Sequence, residues 1–366
     1  MNAERLHAIA VALHKEMVAT QTVAQIEALC NSLQQVLQQG NHPQYQENLA
    51  NNLKKTYSTL SACPSDNFSP AWKQLLSEMG GTPFFGLSLK AAVEEVFQRN
   101  QITPAVALKE LQQLSQRLNA FQQALDQILA AFKQFKIGNE KLEPGECEIG
   151  MLIPRDAVGN NLNGFAQELK ELIFVLNTFS EVATGTPDEL SIKTISSSDL
   201  TVYLNAQAPF AACLAVAIER IVALYKQLLE IKKIRSELLK QGVPDKQTAG
   251  IEDYANNAMD NGIEALTVEI LEKYHPGKDG HRKNELANAL RVSLNRIANR
   301  IDRGYNIEVK VEPVKPTAED NEEVKKTAEQ IGTILAASKN MQFMKLEGKP
   351  ILRLPENVDK QKPKKE

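Results

Sequence analysis

A long apolar repeat between residues 104 and 135 constrains this chain more than any other feature. Leucine, isoleucine and phenylalanine recur there at alternating steps of three and four residues over four heptads. This spacing predicts one long helix with a single apolar seam, and Thr103-Pro104 is a favourable start for such a helix. The seam comprises Leu111, Leu114, Leu118, Phe121, Leu125 and Ile128.

The sequence leaves open whether this seam packs within one chain or pairs between two chains. Phenylalanine at seam positions favours packing inside a bundle, because regular two-stranded coiled coils prefer Ile, Val and Leu. Apolar residues with the same spacing predict two more long helices, at 162–183 and 214–238. We expect residues 1–140 to form a helical domain that ends in the coiled-coil-like heptad helix.

Beyond residue 145 the apolar pattern becomes shorter and alternates with polar residues, which is typical of strands. The candidate strands are CEIGMLIP (147–154), ELSIKTI (189–195), LTVYL (200–204) and YNIEVKVEP (305–313). Together with the predicted helices they follow the order strand, helix, strand, strand, helix, strand. That order predicts a small ferredoxin-like βαββαβ unit at 145–313. The expected fold class is α+β, predominantly α-helical.

An insertion at about 250–304 within that unit has the pattern of a helical hairpin. Its first half, 251–274, is rich in Asp and Glu, whereas its second half, 282–303, is rich in Arg. Between them HPGKDGH (275–281) separates the two helices, because proline disfavours helical geometry in the residue before it. We expect the two helices to pair antiparallel and to neutralise each other's charge.

The C-terminal part is predicted to contain one more helix and a small β-hairpin within residues 317–356. The hairpin is predicted from FMKLEGKPILRLPE (343–356), with a turn at Glu347-Gly348. The last residues, 357–366, are rich in lysine and almost free of apolar side chains. We therefore expect them to form a disordered tail.

The stretch that follows the acidic helix is the most chemistry-like part of the sequence. His275, Asp279 and His281 are weak candidates for metal ligands, because a glycine-rich loop positions ligands poorly. A phosphate-binding loop needs G-x-x-x-x-G-K-[ST] after a strand, and this stretch has neither feature. We therefore expect no bound metal or cofactor.

The Arg-rich helix is a candidate surface for nucleic acid or another polyanion. Arg296, Arg300 and Arg303 share one face, and Arg side chains suit bidentate phosphate contacts. Against this interpretation, the acidic helix competes for them, and no aromatic residue is interleaved for base stacking. The candidate anion-binding residues are Arg282, Lys283, Arg291, Arg296, Arg300 and Arg303.

The catalytic motifs G-x-S-x-G and H-E-x-x-H do not occur, and no G-x-G-x-x-G follows a candidate strand. We assign no catalytic residue and favour a non-catalytic role, although residues distant in sequence can still form an active site. The leading hypothesis is an interaction or scaffold protein. It would assemble with a protein partner or with itself through the heptad helices and the helical hairpin. The alternative is nucleic-acid or polyanion binding through residues 282–303.

The four cysteines are widely spaced and include no C-x-x-C pair, which argues against a disulfide framework or a zinc site. We recognise no signal-peptide pattern and no run of about 18 apolar residues that would span a membrane. These features predict a cytoplasmic protein without a membrane partner.

Overall fold

The computed structural model describes residues 3–39, 42–138, 142–187, 189–196, 200–244, 248–275, 280–314, 322–341 and 349–357. Within these residues the chain forms eleven α-helices and one four-stranded sheet. The predicted class, α+β and predominantly helical, is therefore confirmed. The chain divides into two compact units, Met1–Lys141 and Leu142–Glu366.

The described part of the N-terminal unit is helical. Its α-helices are α1 (Ala3–Thr20), α2 (Thr22–Gln38), α3 (Pro43–Leu60), α4 (Pro70–Glu78), α5 (Gly86–Arg99) and α6 (Pro104–Gln134). Proline occupies the first position of α3, α4 and α6, where its missing N–H removes no intrahelical hydrogen bond. At the start of α4 the Ser69 hydroxyl also accepts a hydrogen bond from the Trp72 amide.

Helix α6 places the predicted seam inside the N-terminal unit. The buried seam residues are Leu111, Leu114, Leu118 and Leu125. They belong to the core that α6 shares with α1, α2 and α5. Phe121 and Ile128 are partly buried against the same core. Little of the seam is exposed for pairing between chains, and association through it stays a prediction.

The C-terminal unit joins helices to a small sheet. In chain order its strands and α-helices are β1 (Cys147–Ile153), α7 (Leu162–Thr184), β2 (Ile192–Ser196), β3 (Leu200–Ala206), α8 (Ala208–Lys240), α9 (Ala249–Tyr274), α10 (Gly280–Asp302), β4 (Asn306–Val311) and α11 (Glu322–Asn340). Each strand overlaps one that the sequence predicts. Helices α9 and α10 occupy the positions of the predicted helical hairpin, and residues 276–279 between them lie outside the described part of the chain.

The strands are ordered β2-β3-β1-β4, and every neighbouring pair is antiparallel. Ile149 and Met151 of the central strand β1 belong to the apolar core of the unit. Between them Gly150 allows the Tyr203 ring to lie against β1, because a Cβ at residue 150 would be only 2.8 Å from that ring. The centre of the sheet is therefore closely packed.

Helix α8 packs at the centre of the C-terminal unit. Among the described helices it is the one that is long and apolar enough to cross a membrane. However, 61% of its most apolar stretch is buried inside the protein, where α8 contacts α7, α9 and α11. This burial is consistent with the core helix of a soluble protein.

The predicted C-terminal β-hairpin is wrong for the residues that the structure describes. Residues 349–357 form neither strand nor helix, and residues 342–348 lie outside the described part of the chain. No hairpin forms at 351–356 because backbone groups there bond to helix side chains instead of a second strand. The predicted tail also falls outside the described residues, apart from Asn357.

Replacing Leu125 with Ala should destabilise the N-terminal unit by about 2–5 kcal/mol, because it leaves a cavity in the core. The single tryptophan, Trp72, lies in this unit, so its fluorescence during urea unfolding reports the loss. Gln127→Ala, at an exposed position of the same helix, should change stability by less than about 0.5 kcal/mol. Equal unfolding midpoints for the two variants would contradict the packing of the seam.

Candidate peptide-binding site

Residues 351–356, called here the C-terminal segment, lie against α10 and are bound by polar side chains. We call these side chains the polar row; they are Asn256 of α9 and Asn295, Arg296, Asn299 and Asp302 of α10. Asn295, Asn299 and Asp302 of α10 are spaced by four and three residues, so they face the same side of the helix. Every residue of the C-terminal segment has a backbone group that bonds to this row.

The Asp302 carboxylate is the most highly bonded group of the polar row. Its Oδ2 atom accepts the backbone N–H groups of Ile351 at 2.5 Å and Leu352 at 2.7 Å. Its Oδ1 atom accepts from the Lys232 ammonium at 2.9 Å and from the Tyr225 hydroxyl at 2.5 Å. The Asp302 side chain has no exposed surface, and the Lys232 side chain is 4% exposed. One buried carboxylate therefore joins two side chains of α8 to the C-terminal segment.

The buried ion pair depends on the hydrogen bonds around it. The Lys232 ammonium also donates to the Tyr225 oxygen at 3.2 Å and to the Asp302 carbonyl oxygen at 3.4 Å. Burial raises the pKa of Tyr225, and the adjacent Asp302 carboxylate raises it further. The phenol therefore stays protonated and donates to the carboxylate. A buried charge that is paired and fully hydrogen-bonded avoids the large cost of an unpaired one.

Asn299 and Asn256 bond to the C-terminal segment in the way that a neighbouring strand would. Asn299 accepts the Leu354 N–H at 3.1 Å and donates to the Leu354 carbonyl at 3.0 Å. Asn256 accepts the Arg353 N–H at 2.6 Å and donates to the Ile351 carbonyl at 3.0 Å. A side-chain amide has both a donor and an acceptor, so it satisfies backbone groups that otherwise need a strand partner.

The far end of the C-terminal segment is held by donors from α10. Asn295 donates to the Pro355 carbonyl at 2.9 Å, and the Arg296 guanidinium donates to the Glu356 carbonyl at 2.9 Å. Because proline has no backbone N–H, residue 355 needs no acceptor from the polar row.

The C-terminal segment runs antiparallel to α10 and is stretched. Its contacts move from Asp302, at residues 351 and 352, to Asn295, at residue 355. These two α10 residues are about 10 Å apart along the helix axis. The roughly four residues that cover this distance would span only about 6 Å as a helix. The stretched backbone is what brings successive N–H and C=O groups within reach of the polar row.

Three apolar side chains anchor the C-terminal segment. Ile351, Leu352 and Leu354 are buried in the core of the C-terminal unit. Burial of each such side chain contributes about 1.5–3 kcal/mol. Arg353 points differently: its side chain is 78% exposed and lies 3.4 Å from Glu252 of α9. Both the backbone and the apolar anchors therefore hold the segment.

The predicted Arg-rich surface is largely paired with carboxylates of the same chain. Arg300 is buried and contacts Glu168 of α7 at 2.6 Å. Arg296 contacts Glu171 of α7 at 2.7 Å. A phosphate would have to displace these carboxylates, because each guanidinium already has an anionic partner at hydrogen-bond distance.

The other candidate anion-binding residues are more exposed. Arg282 contacts Glu181 and Glu285, Arg291 contacts Asp260 at 2.9 Å, Arg303 lies 3.8 Å from Glu356, and Lys283 is exposed near the start of α10. The expected mutual neutralisation of α9 and α10 is therefore mostly wrong. Helix α7 also packs against α10 and supplies three of the glutamates that pair with its arginines.

The structure does not assemble the predicted metal candidates within its described residues. His275 follows the last residue of α9, whereas Asp279 and the side chain of His281 lie outside the described part of the chain. Across the described ranges, no group of three or more His, Cys, Asp or Glu side chains could hold a metal ion.

Sequence reasoning missed the asparagines of the polar row. The stretch NRIANRID (295–302) repeats an Asn-Arg pair after four residues and then places Asp302 on the same side. The arginines are singled out as candidates by their charge. The two asparagines also recur after four residues, so they share a helix face as the arginines do. The repeat of a neutral amide at helical spacing is the signal that could have revealed the site.

Comparison with protein-family models, with curated proteins and with solved structures finds no match for this chain. The functional conclusion therefore rests on the geometry of the C-terminal unit. That geometry is a polypeptide segment held through its backbone by side chains of two helices.

Replacing Lys232 with Met should destabilise the C-terminal unit by about 3–5 kcal/mol, because it leaves the Asp302 carboxylate buried without its cation. The matched control is Lys233→Met, which removes an exposed lysine paired with Glu230 and should cost no more than about 1 kcal/mol. Urea unfolding followed by far-UV circular dichroism measures both, and Trp72 fluorescence in the same samples identifies the transition of the other unit. Similar losses for the two lysines would show that the pair does not stabilise this unit.

Proposed function

We propose that this chain is a non-catalytic interaction protein whose C-terminal unit binds a polypeptide segment along the polar row. The observation that carries the proposal is the set of side-chain bonds to every residue of the C-terminal segment. Such bonds depend on the backbone, which all polypeptides share, so a segment of a partner protein can make them too.

In this proposal the chain's own segment competes with the partner. A short tether gives a segment an effective concentration of about 1 mM at its own site. At equal intrinsic affinity, an external peptide at about 100 µM would then fill only about a tenth of the sites. Binding of a partner is therefore an exchange of segments, and it becomes substantial when the resident segment is weakened.

We also infer that the sheet and its connecting helices form a ferredoxin-like unit. The strand order β2-β3-β1-β4, antiparallel throughout, supports this arrangement. Helices α9 and α10 then form an insertion between α8 and β4. This insertion carries the polar row.

A cytoplasmic location is part of the same proposal. Cys30, Cys63, Cys147 and Cys213 are all free and buried. Free thiols support a reducing compartment, because oxidising compartments favour disulfides.

The test uses a fluorescent peptide, KPILRLPEN, that copies residues 349–357. The full chain carrying Leu354→Ala should bind the peptide much more than the wild type does. This change weakens the resident segment by about 2–5 kcal/mol and leaves the polar row intact. Fluorescence anisotropy at peptide concentrations up to about 1 mM, the effective concentration of a tethered segment, measures the binding.

Two further variants serve as controls. Arg353→Ala changes an exposed side chain of the C-terminal segment and should bind as little peptide as the wild type does. A peptide variant that is N-methylated at the position of Leu354 should bind the Leu354→Ala chain roughly tenfold more weakly, because it cannot donate the N–H that Asn299 accepts, while the resident segment is unchanged. The proposal fails if the Leu354→Ala chain binds no peptide over this range.

A further inference from the structure

We infer that the polar row selects one class of ligand: a stretched peptide with the order apolar, apolar, any residue, apolar, proline, acidic residue. This inference rests on the proposed function and specifies its ligand. Each position follows from the contacts of the segment that now occupies the site.

The acidic position is defined by the surroundings of Glu356. Its carboxylate accepts a hydrogen bond from Asn299 Nδ2 at 2.7 Å, and Arg303 Nη2 lies 3.8 Å from the same oxygen. The Arg296 guanidinium bonds to the backbone of the same residue. Donors and positive charges converge on this end of the site, which favours a carboxylate over a neutral or basic side chain.

The proline position follows from which backbone N–H groups of the segment donate hydrogen bonds to the polar row. Residues 351, 352, 353 and 354 each donate a backbone N–H to the row, so proline at any of them removes a bond. At residues 351 and 352 the loss falls on the buried Asp302 carboxylate. At residue 355 only the carbonyl is bonded, so proline is accommodated there.

The remaining positions are defined by burial. Ile351, Leu352 and Leu354 are buried in apolar surroundings. Burying a polar side chain there would cost a large amount of free energy. Residue 353 is different, because its side chain is exposed and meets Glu252. This position accepts many residues and disfavours only an acidic one.

The occupant that these contacts describe is a linear segment of a separate partner protein. A second copy of this chain carries the same sequence, but each copy already holds its own segment at high effective concentration. A partner with a stronger match at the same positions exchanges more readily. The positive end of the site attracts an acidic residue in such a partner.

The experiment compares peptides on the full chain carrying Leu354→Ala, with KPILRLPEN as the reference. Replacing the glutamate by alanine should weaken binding roughly tenfold, because a bond to a charged group is lost. Moving proline to the position of Leu352 should weaken it by more than tenfold, because an N–H to Asp302 and an apolar anchor are both lost. Replacing the arginine by alanine should change it by less than about threefold.

A second background keeps the test valid if Leu354→Ala does not fold. The full chain carrying Glu356→Ala leaves the three buried anchors in place and weakens the resident segment only at its partly exposed end. The order of the peptides should be the same on both backgrounds.

The outcomes separate this inference from the proposed function. If the reference peptide and a scrambled peptide bind equally well, the ligand class is wrong although the site still binds polypeptides. If neither background binds any peptide, the proposed function is wrong as well. If the wild-type chain forms dimers that the reference peptide dissociates, a second copy is the occupant and the assignment to a separate partner is overturned.

Discussion

A carboxylate without exposed surface needs a partner for each oxygen, and Asp302 has four. Lys232 and Tyr225 come from α8, and the two backbone N–H groups come from the C-terminal segment. The bonds are interdependent, because the loss of one donor leaves fewer hydrogen bonds to stabilise the negative charge of the carboxylate. Helix α8 reaches the sheet through its contacts with β1 and β4. The same carboxylate therefore links the core of the unit to the last described residues of the chain.

The second half of α10 shows how a strongly polar sequence can lie almost entirely inside a protein. Between Leu290 and Asp302 nearly every residue is buried. The leucines and isoleucines enter the apolar core, Arg296 and Arg300 meet glutamates of α7, and the asparagines meet the C-terminal segment. Most directions around this half of the helix thus have a neighbour of matching chemistry. The polar residues specify which neighbour lies on which side, as buried hydrogen-bond networks can do.

Local patterns in the sequence predict the elements of this fold, but not which elements become neighbours. The 3–4 spacing of α6 and the alternation in YNIEVKVEP depend on residues close in the chain, and a helix and a strand lie at these positions. The partners of Arg300 and Arg296 lie on α7, more than a hundred residues away, so the charge pattern of α9 and α10 alone could not reveal them. Likewise ILRLPE has the composition of a strand, and only the distant polar row accounts for its irregular form.

The groups of the polar row would lose many of their partners without the C-terminal segment. Without the C-terminal segment, Asp302 loses two donors, Asn256 and Asn299 lose their backbone partners, and an apolar surface is exposed. Unpaired buried polar groups cost more than weakly paired ones, so a poorly matched segment is preferable to none. A tethered resident segment meets this need in the free protein. For the function proposed above, a partner would therefore have to replace the resident segment rather than enter an empty site.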